Sequence, residues 1–147
     1  MIELQRMTTA ATSCPFCEIA AERATAHVVL EDADFIAFLD SRPVFLGHVL
    51  VVPRQHVLTL GELEPPMFAP LLANVQRIMG ALERALHADG TFVATNNKVS
   101  QSVPHMHFHV IPRKNKDGLR GFFWPRQKYP SDEAMAEMAK TIRAAMG

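Results

Sequence analysis

Apolar residues recur along this chain with two different periods, and the changes of period mark out its elements. Short runs rich in β-branched and aromatic residues at 27–32 (HVVLED) and 35–40 (FIAFLD) predict two strands, with Ala33, Asp34 and neighbouring acids suited to a hairpin turn. Just before them, 18–24 (EIAAERA) reads as a short helix. Pro43 and Gly47 interrupt regular structure and make 42–47 a loop, after which 48–53 (HVLVVP) reads as a third strand. Pro65 and Pro66 can open a helix, because proline is tolerated in a first turn. From there to about His87, Met67, Leu71, Val75, Ile78, Met79, Leu82 and Leu86 recur at helical spacing, and Gly90 is the expected stop. Residues 92–95 and 104–111 read as two further strands. A last helix is expected over 132–145, with Ser131 as its N-cap and Met135, Met138 and Ile142 on its inner face. Hairpin strands, a helix, more strands and another helix make an α+β domain with a mostly antiparallel sheet and two main helices. No repeat or linker divides the chain, so 13–147 is read as one domain behind a flexible tail over 1–12.

The segment 104–111 (PHMHFHVI) changes the picture from fold to chemistry. Side chains alternate along a strand, so His105, His107 and His109 share one face, and Met106, Phe108 and Val110 share the other. The apolar side belongs on the core. The imidazole side is expected to face a cleft, since three imidazoles in a dry core would lack partners. Two chemistries suit such a row: nucleophilic catalysis, or a zinc site with an open position for water.

Composition narrows the partners. Lys plus Arg and Asp plus Glu balance at 15 each, so there is no global charge to hold nucleic acid or an anionic membrane. Any phosphate must be gripped by local groups. No apolar run reaches the roughly 20 residues of a membrane span, and the N-terminal MIELQRMTTAATS lacks the apolar core of a secretory signal. The two cysteines, Cys14 and Cys17, are poor material for a secreted disulfide scaffold and point to a reducing cytoplasm. As CPFC they are open to three readings: half of a zinc site, a redox pair, or two small buried residues. The redox reading needs a preceding strand, and none is apparent. His27 and His87 match no motif and read as surface or satisfied histidines.

HMHFHVI fits the pattern of the histidine triad family, His-φ-His-φ-His-φ-φ with φ hydrophobic. The resemblance extends from Cys14 onward, through Phe38-Leu39-Asp40, the Gly47–Pro53 segment with His56, and Gln101-Ser102-Val103. It is closer to the Hint and Fhit branches than to the galactose-1-phosphate uridylyltransferase branch. The resemblance implies hydrolysis or transfer of adenine nucleotides, from phosphoramidates or dinucleoside polyphosphates, through a covalent histidine–AMP intermediate. An alternative is a nucleotide-binding regulator with little required turnover. By position His107 is the implied nucleophile, its other ring nitrogen held by a main-chain carbonyl. His109 is implied at the α-phosphate, His48 beside the cluster, and Gln101 and Ser102 toward the phosphate and leaving group. Asp40 matches a ribose-binding acid, and without the resemblance it reads as a turn residue. Relatives carry an Asn and a glycine-containing loop before the Gln. Here 96–101 is NNKVSQ, shorter and without glycine, so Asn96 or Asn97 fills the phosphate-contacting place. Lys98 points to solvent or to distal phosphates.

The same resemblance, to bacterial members with an N-terminal CxxC, implies a structural zinc held by Cys14, Cys17, His56 and His105, and no organic cofactor. Two sulfurs and two imidazoles close a tetrahedral site and leave His107 for chemistry. After the triad, Phe122, Phe123 and Trp124 stand among arginines. They suit base stacking or an interface anchor. The resemblance implies a two-fold dimer, and these residues are expected at its interface.

Overall fold

The structure is a computed structural model that describes residues 14–119 and 126–147. The expected tail over 1–12 and the Phe122-Phe123-Trp124 run lie outside the described residues. The chain forms two compact units, one ending at Asn115 and the other beginning at Lys116.

The first unit is built on a five-stranded sheet in the order β1-β2-β3-β5-β4, formed by β1 (Val28–Glu31), β2 (Phe35–Leu39), β3 (Val49–Pro53), β4 (Gly90–Ala94) and β5 (Phe108–Arg113). Every pairing is antiparallel. Asp32 shapes the first hairpin: one carboxylate oxygen accepts from the amides of Asp34 and Phe35, and the other from the buried Asn74 side chain. Asn74 lies on the long helix α2 (Phe68–Leu86), so this one aspartate ties helix to hairpin. Pro65–Met67 forms a single 3-10 turn ahead of α2, as the two prolines suggest.

Alternation sorts the sheet into two faces. Phe35, Ala37, Val49, Val51, Met106, Phe108 and Val110 pack with Leu71, Val75, Ile78 and Leu82 of α2 in the main core. Apart from Ala37, each such side chain stabilises the fold by roughly 1.5–3 kcal/mol on full burial. Ile36, Phe38, Leu50 and Val52 face the other way, against Phe16 of the short helix α1 (Pro15–Ala20) and its N-cap Cys14.

Several boundaries differ from those expected. Helix α1 starts at Pro15 rather than residue 18, because the Cys14 thiol accepts the Cys17 amide as an N-cap and proline suits the first turn. It ends at Ala20, ahead of Glu22 at φ 60°. The stop of α2 is His87, at φ 54°, and Gly90 instead opens β4. Regular pairing of β5 begins at Phe108 rather than residue 104, because the preceding backbone bonds to loops: the amide of His105 to Val103 and that of Met106 to Val57. The alternation of faces nonetheless runs back through Met106.

In the second unit, α3 (Asp132–Ala145) is capped by the Ser131 hydroxyl, which accepts the Ala134 amide at 3.1 Å. Met135, Met138 and Ile142 do form one stripe, but they are about half exposed rather than buried. Amphipathic spacing forms the stripe without specifying what covers it. Among the described residues no helix is long and apolar enough to cross a membrane.

Candidate functional site

The row of histidines approaches β5 along the sheet face that carries α1. His105 and His107 are buried, at 0% and 4% exposure, yet each has a partner for its ring. The Nδ1 of His107 lies 2.7 Å from the carbonyl oxygen of His105. A carbonyl only accepts, so this contact puts the hydrogen on Nδ1 and leaves the Nε2 lone pair available. The Thr95 hydroxyl donates to the His107 carbonyl at 2.7 Å and fixes the same backbone from the side of β4.

His109 is paired across the sheet with Leu50 and Ala94, and its ring meets that of His48. His48 Nε2 and His109 Nδ1 are 2.9 Å apart, and the Val44 amide points at His48 Nδ1 from 3.1 Å. The amide donates, so His48 Nδ1 accepts, His48 Nε2 carries the hydrogen, and His109 Nδ1 accepts it. His109 is left with its hydrogen on Nε2. Asp40 stands 3.6 Å from His48 Nδ1, too far to compete with the amide. Burial lowers the pKa of His48, opposed by the Asp40 charge and aided by His107. Burial, then the neighbouring His107 and His48, push His109 down to about 4. Asp40, His48 and His109 are close enough to suggest a metal group. The amide-led chain of hydrogen bonds accounts for the two imidazoles without one.

These groups open on a cleft of about 820 Å³. His107, His109, Ser102 and Asp40 line it, with Phe16, Ile19, Phe38 and Leu50 as its apolar wall. Three of the expected contacts lie elsewhere. The Gln101 amide donates to the Leu58 carbonyl at 2.6 Å and accepts from the Lys98 amide at 2.9 Å. Asn97 accepts the Leu60 amide at 3.0 Å, and Asn96 is exposed beside it. None of the three lines the cleft. Lys98 and Ser100 adopt positive φ, 73° and 59°, which is how the glycine-free loop makes its turn. His27, Thr25 and Arg42 line the cleft as well, although no local motif marks them. Only the hairpin pairing, with the Leu39 amide on the His27 carbonyl, brings His27 beside Asp40.

Behind the cleft, Cys14, Cys17, His56 and His105 bring four ligand atoms within 4.8 Å of one another. His105 Nδ1 is 3.4 Å from the Cys14 sulfur, 3.6 Å from that of Cys17 and 3.1 Å from His56 Nδ1. Cys17 and His56 are 3.2 Å apart. Bonds of about 2.3 Å to sulfur and 2.0–2.1 Å to nitrogen give tetrahedral edges of roughly 3.3–3.8 Å, so the four side chains fit a zinc ion with little movement. His105 Nε2 donates to the Pro53 carbonyl at 2.8 Å, which turns the Nδ1 lone pair toward the sulfurs, the outer support that metal-binding histidines use. Burial and the adjacent Cys14 thiol push Cys17 up to about 11. A divalent cation reverses that cost by holding the thiolate.

The HIT domain family model matches residues 21–116. An uncharacterised HIT-like protein of Mycobacterium tuberculosis is 40% identical over 108 residues, 72% of this chain and 75% of that protein. The adenosine 5′-monophosphoramidase of Schizosaccharomyces pombe is 32% identical across 84% of this chain and 92% of its own length. A crystal structure described as a zinc-bound histidine triad family protein from Mycobacterium smegmatis superposes with a TM-score of 0.71 at 36% identity, covering 91% of this chain and 99% of that one.

Proposed function

We propose, for a chain that belongs to the histidine triad (HIT) family, that it cleaves adenosine 5′-monophosphate derivatives by passing the nucleotidyl group through His107. The observation that carries this reading is the 2.7 Å contact from His107 Nδ1 to the His105 carbonyl, in a cleft shared with His109, Ser102 and Asp40. A neutral imidazole with its Nδ1 hydrogen held presents Nε2 as a nucleophile.

In the first step His107 Nε2 bonds to the α-phosphorus, and the bond from phosphorus to the leaving group breaks. An amine leaves with a proton, for which the Ser102 hydroxyl is the nearby donor; a second nucleotide leaves through its bridging oxygen. The ring becomes a positively charged phosphoryl-imidazole, and the His105 carbonyl stabilises that charge through Nδ1. Water then attacks phosphorus and the P–Nε2 bond breaks; the proton that water loses returns to Ser102 where an amine has left, or passes to solvent where a nucleotide has left, and AMP and neutral His107 result. The His109 Nε2–H is oriented for the non-bridging oxygens, where charge builds up in both steps. We assign the apolar wall of Phe16, Ile19, Phe38 and Leu50 to the base and Asp40 to the ribose. Asn97 and Gln101 tether the turn that precedes Ser102 to the backbone of Leu60 and Leu58, and Asn96 stands exposed beside them.

Zinc on Cys14, Cys17, His56 and His105 belongs to the same proposal; when bound it supplies a closed structural cross-link, not an activated water. A two-fold homodimer in a reducing cytoplasm completes it. The sheet ends in β4, an edge that a second copy can extend. Comparing an adenosine phosphoramidate, AMP-lysine and diadenosine polyphosphates tests the activity. Release of AMP from at least one of them, lost in His107→Gly, is the expected result. Binding of AMP without turnover of any would favour a nucleotide-binding regulator instead.

A further inference from the structure

We infer that Phe16 couples the cysteine–histidine cluster to the nucleotide cleft, so that zinc in one and an adenine nucleotide in the other each tighten the other's binding. The inference rests on both readings above and adds a link between them.

Phe16 lies between the two cysteines and is the buried residue of α1, at 7% exposure. A helix of six residues does not stand on its own. Its position is set by what grips it: the two thiols at its start and the packing of Phe16. That ring touches both sites edge-on. Its centroid is 5.8 Å from His105, in the cluster, and 5.1 Å from His107, in the cleft, with interplanar angles of 74° and 84°. A third edge contact, 5.4 Å to Phe38, fixes it against the sheet.

The rest of the helix has the same double allegiance. Pro15, Phe16 and Ile19 all line the cleft, while Cys14 and Cys17 turn to the cluster. A second route runs through the main chain, because the residue whose side chain belongs to the cluster, His105, also supplies the carbonyl that holds His107. Cys17 is only half-buried and His56 is exposed, so the cluster opens to solvent on the side where α1 can fray. A nucleotide filling the cleft leans on Phe16, Pro15 and Ile19 and opposes that fraying. Zinc, by gripping the helix start, preforms the wall against which the nucleotide packs. Linkage makes the two effects equal in binding free energy.

The test is an equilibrium competition for zinc between the full-length protein and a chelator of known affinity, with AMP absent and then saturating. AMP is expected to tighten zinc binding by about fivefold or more, within the usual range of coupling between sites. AMP affinity, read by calorimetry, is expected to fall by the same factor when zinc is withheld. In Phe16→Leu, which keeps an apolar side chain but removes the ring, the coupling is expected to shrink while the protein still holds zinc. Equal zinc affinity with and without AMP overturns the inference, and needs no variant. Full coupling in a folded Phe16→Leu overturns the assignment to this ring. Protein that takes up no zinc, or does not bind AMP, overturns the underlying readings and the inference with them, and either failure is seen before the competition begins.

Discussion

The Nδ1 of His107 donates to the carbonyl oxygen of His105 across 2.7 Å, and the side chain of that same His105 points its own Nδ1 at two thiols and a second imidazole. One residue thus serves the cleft with its backbone and the cluster with its ring. His107→Asn and His107→Gly remove the nucleophile but leave the wall of the cleft in place. Turnover is expected to fall by several powers of ten. AMP binding, measured by calorimetry, is expected to stay within about tenfold of the wild type, since one hydrogen-bonding group accounts for little more.

The chain from the Val44 amide through His48 to His109 makes a separate prediction. His48→Asn shortens the side chain and breaks its hydrogen bond to His109 Nδ1, which keeps the His109 hydrogen on Nε2. The maximal rate is expected to drop by about tenfold or more, but by less than the 10²–10³ lost when a charge-stabilising donor is itself removed. An unchanged rate would show that His109 keeps its orientation without this chain.

His109 also predicts a pH signature. Its pKa falls from the ordinary 6.5 to about 4, so between those values the unfolded chain binds a proton that the folded chain refuses. The stability this group contributes is therefore complete above about pH 6.5 and is lost as pH falls toward 4. A nuclear magnetic resonance titration of the His109 ring in the zinc-loaded protein should show a midpoint near 4. A midpoint near 6.5 would contradict the half-buried, neutral donor.

Much of this site was legible in the residues themselves. Alternation across 104–110 sorted imidazoles from core side chains correctly, even though ladder pairing starts only at Phe108. His107 and His109 line the cleft as expected, but His105 does not, and both His105 and His107 are deeply buried, because backbone carbonyls of Pro53 and His105 supply the partners that a dry core was expected to lack. Those carbonyls come from a neighbouring strand and from the chain's own turn, and side-chain spacing carries no trace of them. The amide of Gln101 is similarly engaged by Leu58 and Lys98 backbone groups, one of them 43 residues away. His27 was unreadable for the converse reason, since only the hairpin register gives it a place at the cleft. His87 displaced Gly90 as the end of α2 by taking a left-handed conformation that favours glycine without requiring it.

Zinc removal has an expected outcome independent of catalysis. Purified protein should carry about one zinc per chain, and Cys14→Ser combined with Cys17→Ser should carry none. Because assembly of the ligands is coupled to folding, the melting temperature should fall in the double variant and in chelator-treated wild type alike. A metal-free protein with two titratable thiols and unchanged melting would contradict the cluster's assignment.

Gly47 links stability to the site, since it immediately precedes His48. It sits at φ 98°, and an added Cβ would collide with the Leu86 Cδ1. The Leu86 methyl can move, but the backbone angle cannot suit an L side chain. Gly47→Ala should cost about 1–3 kcal/mol in chemical denaturation. A loss within about 0.5 kcal/mol would mean the loop relaxes freely.

The central claim is that the nucleotidyl group rests on His107 during turnover. The direct measurement mixes excess enzyme with an adenosine phosphoramidate, stops the reaction in its first turnover under conditions that preserve P–N bonds, and maps modified peptides by mass spectrometry. The account predicts an adenylyl group on the peptide containing His107, forming before free AMP and decaying as AMP appears. Complete conversion to AMP with no protein adduct at any time, or an adduct on another residue, would contradict it.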